Sequence, residues 1–250
     1  MSIKANCIFG TCRSIDNQKK CEHGKFVYRC PNLNAKTSDI YNDSLTKIQE
    51  YEFTNLKQVI NPRSDLKFQN DRIRRESKDI SNCNERDRIT EPYLCRCAYW
   101  SSLNKCSKNC LMKAKWDTFG DYFILDYQLP VSDSYNGKVD LVLCNRKNNN
   151  IYLTEYKPNR EKTPERLLRM IAEIVTYYQS AIPGCKEFMK KYHNIELKDN
   201  DISIAIMFHN ESPQHKEFKQ HINGIDKLIS KYNISVFCIF DNENMIKKVN

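Results

Sequence analysis

Apolar and polar residues follow a strand-like pattern in three consecutive segments of the chain. Segments 121–131, 137–145 and 150–158 are rich in β-branched and aromatic residues, and such residues are typical of strands. The polar residues RKNNN separate the second segment from the third, and a short polar connection of this kind predicts a hairpin turn. The pattern therefore predicts one strand followed by a β-hairpin.

The chain downstream of the hairpin alternates between helical and strand-like patterns. Thr163 is the expected N-cap of a helix with Pro164 at its first position, and apolar residues recur at helical spacing over about 163–181. Strands and helices in alternation imply parallel crossovers. We therefore expect an α/β fold, a mixed β-sheet flanked by helices. The other predicted elements are helices at 89–103 and 212–232 and strands at 201–210 and 234–241.

The turn fixes which residues of the predicted hairpin lie opposite each other. If the turn centres between Lys147 and Asn148, paired residues have numbers that sum to 295, and Asp140 lies across from Glu155. Directly opposed side chains on antiparallel strands have Cβ atoms about 4.5–5.5 Å apart. Two carboxylates at that distance repel each other unless a cation lies between them, so the pair predicts a metal site.

The residues around Glu155 fit phosphate chemistry assisted by a metal. Mg²⁺ binds one or two carboxylates together with waters and substrate phosphate oxygens, and Mn²⁺ is the alternative ion. Side chains alternate between the faces of a strand, so Glu155 and Lys157 are expected on one face and Tyr156 on the other. Lys157 then points toward the place where a scissile phosphate would bind.

Asp140 together with Glu155, Tyr156 and Lys157 resembles the motif of the PD-(D/E)XK nuclease superfamily. Asp140 matches the first acid, the triplet matches E-X-K, and Val139 stands where the motif has its proline. The resemblance implies a restriction-endonuclease-like fold. It implies that Asp140, Glu155 and the Tyr156 backbone carbonyl bind Mg²⁺ or Mn²⁺. It also implies that Lys157 orients the attacking water and stabilises charge in the transition state.

The superfamily often takes a further glutamate from the first helix of the domain. The resemblance, which covers about residues 85–241, gives Glu91 this catalytic role, with Glu85 as the second choice. A glutamate immediately before Pro92 also stabilises a helix N-terminus through its negative charge, so a purely structural role for Glu91 stays open.

The helix predicted over about 163–181 carries a second feature of the superfamily. RecB-like members have a Gln and a Tyr four residues apart on this helix, and Glu173 and Tyr177 have that spacing here. On a helical wheel, Glu173 falls opposite the apolar stripe that includes Leu167 and Ile171. We therefore expect Glu173 to face solvent, and we place neither Glu173 nor Tyr177 in the site unless the second face of the helix packs against the rim of the active site.

The chain contains 12 cysteines, and several of them cluster. Its first residues lack a signal-peptide pattern, so we expect reduced thiols, and clustered thiols then favour metal ligation over disulfides. Four thiolates, or three with His23, can close a tetrahedral structural Zn²⁺ site, and an iron–sulfur cluster is the alternative. The predicted zinc ligands are Cys7, Cys12, Cys21 and Cys30, and a second, less regular group is Cys95, Cys97, Cys106 and Cys110.

Charge and cysteine distribution together suggest two parts. We expect residues 1–80 to form a cysteine-rich module that can bind zinc, with a basic linker, and the resemblance implies that residues 81–250 form a PD-(D/E)XK-like nuclease domain. Forty basic residues against 31 acidic ones give a net charge of +9, which favours a polyanionic partner. Residues 61–79 carry much of this basicity and are either a solvated linker or an arm that contacts phosphates.

The resemblance implies a Mg²⁺-dependent (endo)deoxyribonuclease that hydrolyses phosphodiester bonds in DNA, and it favours a restriction or defence role. RNA is a possible substrate, and cutting both strands of a duplex with one site per chain suggests a homodimer. Two alternatives stay open: an RNase or cyclic-nucleotide-dependent effector of the same fold, and a non-catalytic, zinc-containing nucleic-acid-binding protein. An apolar run of about 18 residues is lacking, so we expect a soluble, intracellular protein, cytoplasmic or nuclear, with no membrane partner.

Overall fold

The computed structural model describes the chain in several separate ranges. They are 30–35, 38–50, 91–102, 120–130, 138–158, 165–220, 224–240, residue 243 and 245–250. Cys7, Cys12 and Cys21 lie outside these ranges, so the zinc site stays a prediction. Cys30 is described, and it is buried in an apolar cluster that also contains Leu33.

Six strands in the described residues form one mixed β-sheet, and their order in the sheet is their order in the chain. They are β1 (Tyr122–Pro130), β2 (Lys138–Asn145), β3 (Ile151–Lys157), β4 (Ile202–His209), β5 (Ser235–Phe240) and β6 (Met245–Lys248). The pairs β1–β2, β2–β3 and β5–β6 are antiparallel, and β3–β4 and β4–β5 are parallel. β1 and β6 contact each other although they stand at opposite ends of this order, so the sheet curls. The expected mixed sheet is confirmed.

Helices cover both faces of the sheet. Those described are α1 (Ser38–Glu50), α2 (Glu91–Ser102), α3 (Leu167–Phe188), α4 (Pro213–Lys219) and α5 (Ile225–Lys231). α3 links β3 to β4, and α4 and α5 link β4 to β5, as the alternation of elements predicted. α3 packs with α1 and α5 against one face, and α2 packs against the other. Within the described ranges, no helix has both the length and the apolarity to cross a bilayer.

The predicted register of the β2–β3 hairpin is confirmed. The pairs run from Cys144 with Ile151 to Leu141 with Thr154, and the two numbers of each pair sum to 295. The pairing ends one position before Asp140 and Glu155, where the Tyr156 N–H donates a hydrogen bond to the Asp140 side chain instead (3.1 Å). The end of the hairpin is therefore held together by a carboxylate of the predicted motif.

Two predicted helices have different bounds in the structure. The segment 212–232 is not one helix, because Gly224 has a φ of 101° and its left-handed backbone separates α4 from α5. The helix predicted over about 163–181 begins at Leu167, after Arg166 in an extended conformation, and runs on to Phe188. Thr163, the predicted N-cap, lies outside the described residues. The late start leaves Glu165 on the connection that precedes α3.

Candidate active site

β3 delivers Glu155 and Lys157 to one face of the sheet and Tyr156 to the other. The three side chains are all buried, with exposed fractions of 1% for Glu155, 0% for Tyr156 and 5% for Lys157. Lys157 Nζ lies 2.6 Å from Glu155 Oε1 on the face that α3 covers. On the opposite face, the Tyr156 hydroxyl lies 2.8 Å from His209 Nε2. The alternation expected from the sequence is therefore confirmed.

Two further carboxylates meet the Glu155–Lys157 pair from the start of α3. Lys157 Nζ lies 2.9 Å from Glu165 Oε2, so one ammonium group bridges two carboxylates. Glu173 comes from the second turn of the helix, and Glu155, Glu165 and Glu173 each offer an oxygen within 4.8 Å of the other two. Arg169 adds a second cation, with Nη2 3.1 Å from Glu165 Oε1. Three acidic and two basic side chains thus form one cluster.

Hydrogen bonds at the start of α3 fix where Glu165 stands. Gln214 of α4 donates its side-chain N–H to the Glu165 carbonyl oxygen at 2.5 Å. Glu217, also of α4, accepts the Leu167 N–H at 3.2 Å and so satisfies one of the backbone donors that a helix N-terminus leaves open. The Arg166 guanidinium lies 3.3 Å from the same carboxylate. α4 therefore anchors the residues on both sides of Glu165.

α1 completes this anchor through Tyr41. Its hydroxyl donates a hydrogen bond to Glu217, and the Arg166 guanidinium stacks over its ring at 3.7 Å. Burial of the hydroxyl and the nearby Glu217 carboxylate raise the pKa of Tyr41, so the phenol keeps its proton and remains a donor. The network links three helices to the connection that carries Glu165.

The expectation that Glu173 faces solvent is wrong. Glu173 is partly buried, and its Oε1 accepts a hydrogen bond from the Tyr177 hydroxyl at 3.0 Å. The helical-wheel argument used one apolar stripe of α3, but Met170 and Ile174 next to Glu173 are also fully buried, so the helix is covered around most of its circumference. The side opposite the apolar stripe is therefore the side that faces the carboxylate cluster.

Burial raises the pKa of Glu173 above its usual range, because desolvation disfavours the charged carboxylate. Lys157 and Arg169 act in the opposite direction, and the negative charge of Glu165 adds to the increase. The net direction is upward. Desolvation is therefore the main cause of the increase, and it acts against the neighbouring cations.

Asp140 stands beside the cluster and is held from two sides. It is 3% exposed. Its Oδ1 accepts a hydrogen bond from Gln128 Nε2 at 3.0 Å, and its Oδ2 accepts one from the Tyr156 N–H at 3.1 Å. Asp140 is not one of the three carboxylates that meet within 4.8 Å, yet it bonds to the backbone between Glu155 and Lys157. The structure thus brings the motif residues together with Glu165 and Glu173.

The remaining predicted site residues are placed less completely. Glu91 is the first residue of α2, and its side chain lies outside the described residues. The metal-binding role of the Tyr156 carbonyl stays a prediction. Of the second cysteine group, Cys95 and Cys97 are buried in α2, and the other two members lie outside the described residues.

Glu165 was missed and Glu173 was set aside, although the sequence carries a signal for both. Glu165, Arg169, Glu173 and Tyr177 follow one another at intervals of four, so on a continuous helix they share one face. A stripe of three charged side chains and a tyrosine, eight residues after an E-X-K triplet, indicates that this face meets the triplet. The apolar stripe of the same helix led instead to the prediction that this face is exposed to solvent.

The donor atoms of the cluster fit a hard divalent cation. Carboxylate oxygens are the ligands that Mg²⁺ and Mn²⁺ prefer, whereas Zn²⁺ in structural sites takes thiolate and imidazole ligands. Among the described residues, one group of three neighbouring side chains could hold a metal ion, and it consists of Glu155, Glu165 and Glu173. Comparisons of the chain with protein-family models, with curated proteins and with solved structures found no match.

Proposed function

We propose that this chain is a nuclease that depends on a divalent metal and hydrolyses phosphodiester bonds in DNA, with a restriction-endonuclease-like fold. One observation carries the proposal. Glu155 and Lys157 of the E-X-K triplet are buried side by side, 2.6 Å apart, and two further carboxylates lie within 4.8 Å of Glu155. A hairpin that matched the motif by chance would have no reason to meet two more acids.

Electrostatics support a cation at this place. Removing an ionised carboxylate from water costs several kcal/mol unless it is paired. The cluster gathers three carboxylates against the cations of Lys157 and Arg169, and desolvation raises the pKa of Glu173 despite those cations. A divalent cation bound by oxygens of these carboxylates would offset the cost of burying their charge, and Mg²⁺ commonly takes further ligands from substrate phosphates.

Each side chain has a role in this proposal. Glu155, Glu165 and Glu173 would hold the ion, Asp140 of the motif would be a further ligand beside them, and Tyr177 orients Glu173 through its hydroxyl. The ion, when bound, would polarise the phosphate and favour attack by water on phosphorus.

Lys157 already lies within hydrogen-bonding distance of two of the carboxylates. Its ammonium N–H groups can therefore orient the attacking water and donate to a phosphate oxygen as negative charge develops there. This donor acts at the phosphate, whereas the carboxylates act on the cation, so the two parts of the site have separate functions.

A nucleic acid is the proposed substrate because the chain carries a net charge of +9 and the basic stretch at 61–79, and DNA is preferred to RNA because of the resemblance to the PD-(D/E)XK superfamily. Cutting both strands of a duplex with one site per chain requires two chains, so a homodimer is part of the proposal. Restriction or defence is the role we favour for such an enzyme.

The experiment is an assay of the purified protein with plasmid DNA, linear DNA and RNA, each with Mg²⁺, with Mn²⁺ or with EDTA. We expect cleavage of DNA that EDTA abolishes, and its loss in Glu155→Gln and Lys157→Met. Lys147→Met is the matched control, because Lys147 lies at the other end of the hairpin in an exposed pair with Asp121 (2.8 Å). Cleavage of RNA alone would change the substrate class. Undiminished cleavage by Glu155→Gln, or no cleavage at all, would contradict the proposal.

A further inference from the structure

Gln128 lies within strand β1 and yet has a left-handed backbone, with a φ of 51°. This conformation is unfavourable for any residue with a Cβ, and the surrounding structure has to maintain it. The other residues of the described chain that share it are in turns or at the ends of elements; they are Asn149, Asn194, Glu211 and Asn233. Gln128 is the one that interrupts a strand, and its side chain is 9% exposed.

The interruption changes which face the neighbouring side chains occupy. In a regular strand, residues two apart point to the same face. Here Tyr127 and Leu129, on either side of Gln128, belong to the apolar clusters on opposite faces of the sheet. The same holds for Leu141 and Val139 on β2, which pair with Tyr127 and Leu129. The reversal therefore occurs in both strands at one place, the opposed positions 128 and 140.

At that place the Gln128 side chain bonds to Asp140. Gln128 Nε2 donates to Asp140 Oδ1 from β1 at 3.0 Å, and the Tyr156 N–H donates to Asp140 Oδ2 from β3 at 3.1 Å. A donor on each oxygen, from the strands on both sides, fixes the plane of the carboxylate. The Tyr156 donor belongs to the backbone and any residue would supply it, whereas the Gln128 donor depends on the side chain.

We propose that Gln128 is a positioning residue for Asp140, and that the left-handed backbone within β1 serves to place its amide against this carboxylate. The inference rests on the proposed nuclease function, in which Asp140 belongs to the metal site. Groups that orient metal-binding side chains in this way commonly change metal affinity or activity by about 10–100-fold when they are removed. Gln128 itself touches neither the three-carboxylate cluster nor the reacting atoms in this proposal.

A glycine substitution separates this role from a packing role. Gln128→Gly removes the amide but relieves the left-handed backbone, so the unfolding midpoint in urea should stay near that of the parent. Mn²⁺ affinity, measured by calorimetry without substrate, should fall by about 10–100-fold, and cleavage should fall with it. Gln128→Asn should lose affinity similarly, because asparagine tolerates the backbone but its amide is one methylene too short. Asn149→Gly is the matched control, since Asn149 has the same backbone in an exposed turn (φ 58°).

The outcomes distinguish the inference from the function on which it rests. If Gln128→Gly keeps the affinity and cleavage of the parent while Asp140→Asn loses both, the inference is wrong and the function stands. A loss of affinity together with a large loss of stability would assign Gln128 to strand packing and overturn the inference. If the parent protein binds no Mn²⁺, or if Asp140→Asn behaves as the parent does, the metal site is wrong as proposed and the inference fails with it.

Discussion

The two faces of β3 are equally buried but chemically opposite. On the α3 face, Glu155 and Lys157 meet two more carboxylates and an arginine. On the α2 face, Tyr156 lies in an apolar cluster and its hydroxyl pairs with His209 at 2.8 Å. Burial therefore does not distinguish a side chain of the candidate site from a structural one in this strand. What differs is the charge gathered around it and the elements that supply that charge.

The difference also concerns stability. A neutral hydrogen bond such as Tyr156 to His209 contributes about 0.5–1.5 kcal/mol to stability. Close carboxylates repel one another, and the cluster carries a carboxylate whose pKa burial has raised. The α2 face thus stabilises the strand, while the α3 face keeps an arrangement that is costly in the absence of a cation. Substitutions on the α2 face should therefore change stability without changing activity, whereas those on the α3 face should change both.

The largest effect is expected for Lys157→Met. Removing the ammonium leaves Glu155 and Glu165 without the cation that lies 2.6 and 2.9 Å from them. Breaking a buried ion pair from one side commonly costs about 3–5 kcal/mol. We expect a loss of this order in the free energy of unfolding, measured in urea with EDTA, and partial recovery when Mn²⁺ is added. Lys147→Met should have a much smaller effect because its pair with Asp121 is exposed and screened by solvent. Equal effects of the two substitutions would show that Lys157 does not stabilise the carboxylates next to it.

The sequence predicted which side chains lie on each face of β3, because strand alternation and hairpin pairing are local. Alternation along β3 and the polar turn RKNNN fix both the register and the face of each side chain, because a strand has a period of two and a hairpin has one centre. Local pattern also predicted the crossovers through α3 and beyond. The E-X-K triplet could therefore be placed before any tertiary contact was known.

The rest depends on tertiary structure. Glu173 is partly buried because α3 is covered on more than one side. The period of the apolar residues does not show how many sides of a helix are covered. The break before α5 follows from the left-handed backbone of Gly224, whereas the same conformation at Gln128 has no local signal at all. β6 is a short strand with two lysines, which pairs because the sheet edge is available. The features that the sequence did not predict thus depend on contacts among several elements.

An intermediate effect is expected for Tyr156→Phe, which tests the other face. The substitution removes the hydroxyl that pairs with His209 and leaves a buried imidazole nitrogen with one partner fewer, which commonly costs about 1–3 kcal/mol. The backbone N–H that donates to Asp140 is retained, so cleavage by the folded protein should stay close to that of the parent. Urea unfolding and initial cleavage rates measure the two quantities. A large loss of activity at unchanged stability would assign the hydroxyl to the active site and remove the distinction between the faces.

The smallest effect, and the one that most directly tests the charge of the α3 face, concerns Glu173→Gln. Burial raises the pKa of Glu173, so the folded protein retains this proton to a higher pH than the unfolded chain does. Ionisation then favours unfolding, and stability falls as the pH rises from the unfolded pKa of about 4.3 through the folded pKa. With EDTA, Glu173→Gln should therefore be more stable than the parent at pH 7 and equal to it below about pH 4, since glutamine keeps an acceptor for Tyr177. Glu187→Gln on the exposed side of α3 is the control and should show neither difference. If Glu173→Gln is instead less stable at pH 7, Lys157 and Arg169 outweigh burial, and the cluster holds its carboxylates ionised without a metal.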